Sequence, residues 1–116
     1  MTKTSETRKK IDSAYATGDI ETAVTDYRKL SQAYTVTREE TRRLTAPEGY
    51  SRLRQLALVY EAEAAAYYTT AAQIVEDSGG NYNAAQAAKL ADQEKRLNAA
   101  AKKLQEELKV KRFELK

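Results

Sequence analysis

The side chains that do most enzymatic and metal chemistry are absent or wrongly spaced. The 116-residue chain has no His and no Cys. That removes the commonest general base, the commonest metal ligand and all thiolate chemistry. Carboxylates remain, but Glu61 and Glu63 stand two residues apart, as do Asp92 and Glu94. Such pairs diverge on a helix and cannot share a proton or an ion. Di-metal helical bundles rely on Glu-x-x-His pairs, which this chain cannot form. No glycine-rich phosphate loop, nucleophile elbow or calcium-binding loop occurs. The expectation is a non-enzymatic protein with no cofactor and no metal.

Cations are the residues left with binding chemistry. The chain holds 20 Lys and Arg against 17 Asp and Glu, a net charge of +3. So small a net charge says little until the elements that distribute it are known.

Those elements are helices. Only three breaks interrupt a sequence rich in Ala, Leu, Glu, Lys, Arg and Gln, all good helix formers. They are Gly18-Asp19, Thr45-Ala46-Pro47-Glu48-Gly49 and Asp77-Ser78-Gly79-Gly80-Asn81. Four helices are expected, over about 5–17, 19–45, 47–77 and 82–115. Gly18 can end the first in the left-handed conformation, and Asp19 can cap the second. Pro47 is placed in the first turn of the third, where its missing N–H needs no partner. Asn81 or Asn83 can cap the fourth.

Apolar spacing agrees with this division. Ile20, Ala23, Tyr27, Leu30 and Tyr34 recur at steps of three and four. Leu53, Tyr60, Tyr67 and Ile74 recur every seventh residue, and Ala87, Leu90, Leu97, Ala101, Leu104 and Leu108 form a last seam. A sustained seven-residue repeat implies nearly parallel or antiparallel packing. Short turns then fold the chain into one all-α domain over 1–116, an elongated antiparallel up-and-down bundle of three long helices and a short N-terminal one. The alanines between 57 and 101 predict close contact between the two longest helices. The last helix should overhang its neighbours from about Leu108.

In that bundle the turn between the second and third helices meets the end of the fourth. Eleven cations collect there against six carboxylates, so this end is predicted to be basic. Arg42, Arg43, Arg52, Arg54, Lys109, Lys111 and Arg112 are the candidate anion-binding residues. Such a patch attracts nucleic acid or another anionic surface through phosphate, without reading sequence. Leu104, Leu108, Phe113 and Leu115 form an apolar tail at the same end. They are the candidate anchors for a protein partner or a second copy of the chain. Of the eight tyrosines, Tyr27, Tyr34, Tyr60 and Tyr67 fall on seams. Tyr15, Tyr50, Tyr68 and Tyr82 fall off them and are candidate interface residues.

One stretch is similar to a known family. Ala14-Tyr15-Ala16-Thr17-Gly18-Asp19-Ile20-Glu21-Thr22-Ala23-Val24, followed by Tyr27 and Leu30, resembles a single tetratricopeptide hairpin over residues 11–30. The resemblance implies a capped pair of packed helices and peptide binding. One 34-residue period later stand Arg52, Ala57 and Glu61, so the repeat does not continue. The polar start shows no signal peptide, and no apolar run reaches the ~20 residues of a membrane span. A non-catalytic adaptor or assembly module in the cytoplasm is the favoured expectation. Sequence-independent binding of nucleic acid or anionic surfaces is the alternative.

Overall fold

The computed structural model describes residues 19–114, with side chains described from Asp19 to Arg112. The described residues are all-α, with helices α1 (Ile20–Arg43), α2 (Ser51–Ser78) and α3 (Ala84–Glu114). The short helix expected at 5–17 lies outside them, as do Tyr15 and Leu115 and the side chain of Phe113.

Local chemistry sets each boundary. Asp19 caps α1: its Oδ1 accepts from the Thr22 backbone N–H at 3.0 Å, and its Oδ2 from the Thr22 hydroxyl at 2.6 Å. These bonds to the charged form hold the Asp19 carboxyl below its ordinary pKa. Glu21 in the first turn and Arg42 and Arg43 in the last complement the helix dipole.

The first turn corrects the expected start of α2. Pro47 is outside the helix. Its carbonyl accepts from the Tyr50 N–H at 3.0 Å, and Gly49 has φ +86°. This is a β-turn whose third residue must enter the left-handed region, which glycine does without strain. Leu44 is already extended, with ψ 136°, so α1 stops at Arg43, and the Pro47–Tyr50 turn puts the first residue of α2 at Ser51.

The second turn joins two helix ends. Gly79, left-handed at φ +63°, donates its N–H to the Val75 carbonyl. Gly80 lies so close to the start of α1 that a Cβ there would sit 2.7 Å from Ile20 Cδ1. Asn83 and Gln86 then form a reciprocal capping box. The Asn83 N–H donates to Gln86 Oε1 at 2.9 Å, and the Gln86 N–H to Asn83 Oδ1 at 2.8 Å.

Cross-helix pairs give the direction of packing. Arg28 meets Glu76, Ser31 meets Ala65 and Thr69, and Thr41 meets Glu61, so α1 and α2 run in opposite directions. Arg52 meets Glu107, and Tyr50 meets Lys111, which fixes the lower end of α3 beside the start of α2. Both outer helices pack on α2, and α1 and α3 make no backbone approach to each other. The described residues measure 48 × 26 × 24 Å.

The core lies mainly between α1 and α2. Ala23, Leu30, Tyr34, Ala64 and Tyr68 form one buried cluster, and Val24, Ala72 and Val75 a second. Tyr68 was an interface candidate and is instead central, only 4% exposed. Its ring stacks on Tyr27 and Tyr34, with centroids 6.1 and 5.9 Å apart, and meets Tyr67 edge-on at 5.2 Å. Its position one residue past the Tyr60–Tyr67 seam turns it toward α1, a face the seven-residue count on α2 did not include. The alanines of α3 also depart from expectation. Ala84, Ala85, Ala87, Ala88 and Ala99 are exposed, and Ala100 alone is buried in this helix among the described residues. Much of the alanine in α3 therefore serves helix propensity rather than close packing.

Candidate binding surface at the turn end

The turn between α1 and α2 and the lower end of α3 come together, and their cations do not all face solvent. Arg54 is turned inward. Its Nε donates at 3.3 Å to the Thr41 carbonyl, which also accepts the Leu44 N–H, and its Nη2 donates at 2.5 Å to the Arg42 carbonyl at the end of α1. Arg42 pairs with Glu39 at 3.3 Å, and Arg52 with Glu107 at 3.4 Å. The Lys111 ammonium sits 5.2 Å from the centre of the Tyr50 ring. Arg43, Lys109 and Arg112 are exposed. Four of the seven candidate anion-binding residues are thus already held by groups within the fold.

The apolar candidates also divide. Leu104 is half-buried in the seam of α3 that faces α2. Leu108 is 45% exposed, and its neighbour Val110 48%. The overhang is shorter than the sequence suggested. Lys111 still reaches Tyr50, so α3 runs alongside the turn for almost one helical turn beyond Leu108. The residues 44–50 cause this, because they extend the α1–α2 end instead of closing it abruptly.

Sequence reasoning missed a groove here. Leu44, Pro47, Tyr50, Leu53 and Ala57 line a depression of about 450 Å³, with Arg54 on its wall. Leu44 itself is 65% exposed. The signal was present in Pro47, an apolar residue inside the Thr45–Gly49 break, and in Leu44, which was placed in the helix before it.

One turn above the groove lies a buried carboxylate. Glu61 Oε2 accepts from the Thr41 hydroxyl at 2.9 Å, while its buried Oε1 has no hydrogen-bond partner, and neither does the buried Nε of Arg38. Burial pushes the Glu61 carboxyl above its ordinary pKa. The Thr41 bond and the Arg38 charge pull it back, and the charge of Glu40 adds to the rise. The sequence marks Glu61 as the charged residue between Ala57 and Ala64 on an otherwise apolar face.

A second cleft, of about 490 Å³, separates the upper part of α2 from the start of α3 and is lined by polar residues including Thr70, Gln73, Asp77, Gln86 and Lys89. Among the described residues no three acidic side chains gather as a metal cage, and no helix is long and apolar enough to cross a membrane. The chain matches no protein-family model, no curated protein and no solved structure.

Proposed function

We propose that this chain is a non-catalytic helical adaptor or assembly module that binds another protein, or a second copy of itself, at the turn end of an up-and-down bundle. The observation that carries the reading is the exposure of Leu44, Leu108 and Val110 at one end of the molecule. Leu108 and Val110, two residues apart on α3, face different sides of it, and each large apolar side chain left in water stands to gain from burial against a partner. The resemblance of residues 11–30 to a tetratricopeptide hairpin implies peptide contact and fits the same reading, although residues 11–18 lie outside the described residues. Phosphate binding without sequence reading is the alternative, favoured by the exposure of Arg43, Lys109 and Arg112 at the same end.

Leu108→Glu tests the leading reading. The side chain is exposed, so helicity should persist while any self-association falls, seen as a lower mass in light scattering. An unchanged mass above that of a monomer would remove Leu108 from the interface. The salt response separates the two readings. Phosphate contact weakens steeply between low and physiological ionic strength, and apolar association responds little.

A further inference from the structure

We propose that the groove at the α1–α2 turn takes an acidic amphipathic segment of a partner protein. Its apolar side chains would seat on Leu44, Pro47, Tyr50, Leu53 and Ala57, and its carboxylates would meet the surrounding cations. The inference rests on the protein-binding reading above and adds the chemistry of the partner and the place it docks.

Three observations choose this occupant. The first is shape and polarity. The depression of about 450 Å³ has predominantly apolar walls and is open at Leu44, which suits one or two large side chains from an amphipathic helix. The second is charge. Between Arg42 and Arg54 the chain carries four arginines, Arg42, Arg43, Arg52 and Arg54, and one acid, Glu48; Arg42 and Arg52 pair with Glu39 and Glu107 from outside this stretch, yet each keeps half or more of its side chain exposed. Lys111 adds to them from α3, since its Nζ would be 3.9 Å from a Cβ at Gly49. A second copy would bring the same cations against these, whereas an acidic segment complements them.

The third observation is the state of Arg54. Two carbonyls at the end of α1 hold its guanidinium through Nε and Nη2. A guanidinium has five N–H donors, so three remain beyond these two bonds. A side chain already fixed in place loses little freedom when a carboxylate binds it. The groove therefore combines an apolar floor with a pre-set donor on its wall.

The probe is a short labelled helix-forming peptide with Leu and Phe at i, i+4 and i+7 and Glu elsewhere. Its binding to the full chain is read by fluorescence anisotropy. A control peptide replaces every Glu with Lys. The protein variants are Leu44→Asp and Arg43→Glu. Both positions are exposed, so circular dichroism should match the parent. The acidic peptide is expected to bind, the basic one not, and each variant to weaken binding by roughly tenfold. Equal binding of both peptides, or no loss in either variant, would overturn the proposal. Binding of short duplex DNA without binding of the acidic peptide would replace it with phosphate recognition. If the peptide fails while Leu108→Glu still lowers the mass, the groove loses its role and the protein-binding reading stands. If neither experiment shows an effect, both fall.

Discussion

The two seams along α2 differ sharply in construction. Toward α1 the contact is dense. Tyr27, Tyr34 and Tyr68 stack, Ala64 and Ala72 let the backbones approach, and Ser31, Thr41 and Arg54 bond across. Toward α3 the contact is a half-buried row of Gln86, Leu90, Gln93, Leu97, Ala101, Leu104, Glu107 and Lys111, with Ala100 buried. Polar residues occupy four of these positions, and Gln93 Oε1 is buried without a partner. A helix held by one mixed row gains less from burial than one held by stacked rings and small residues. The α1–α2 pair is the rigid frame. α3 is the element with surface to spare, and its lower end borders the proposed docking groove.

The sharpest break in this contrast is Tyr68→Ala. It removes the ring that links three others, so it should cost about 3–5 kcal/mol and lower the denaturant midpoint of the whole fold. Leu97→Ala acts on the other seam, where Leu97 is half-buried against the tyrosine cluster. A loss of roughly 1–2 kcal/mol is expected. Amide exchange should quicken in α3 before it does in α1 and α2. A loss equal to that of Tyr68→Ala, or uniform exchange, would show that the seams are equally strong.

The smallest effect tests the buried carboxylate inside the dense seam. The folded-state pKa of Glu61 is raised, mainly by burial. The protonated form is therefore the one the fold favours. Its contribution to stability is complete below the unfolded carboxylate pKa and is lost as pH rises through the higher folded value. Glu61→Gln keeps an acceptor for Thr41 and cannot ionise. Melting temperatures should show it gaining on the parent from acid toward neutral pH. A gain in the opposite direction would mean that the Arg38 attraction outweighs burial.

Much of the scaffold was legible in single residues. Helix-forming stretches divided by glycine and proline were enough for an all-α chain. Asp19 before Thr22, and Asn83 before Gln86, carry their cap geometry in three-residue spacing. The site was less legible. Arg52 and Arg54 look alike in sequence, yet one pairs with Glu107 at the surface while the other turns inward to the carbonyls of Thr41 and Arg42. Leu104 and Leu108 also look alike, four residues apart, yet they differ in exposure because α3 rests against α2 along one side alone.

What the residues determine by themselves are the short-range facts: where helices form, which groups cap them, and which glycines must turn. These depend on propensity and on bonds within a few residues. Only the folded arrangement decides which cations remain open and which tyrosines are core, and only it makes a groove of Leu44, Pro47 and Tyr50. Burial and charge pairing depend on partners tens of residues away, and a pattern along one helix does not state how far around its circumference the neighbours reach.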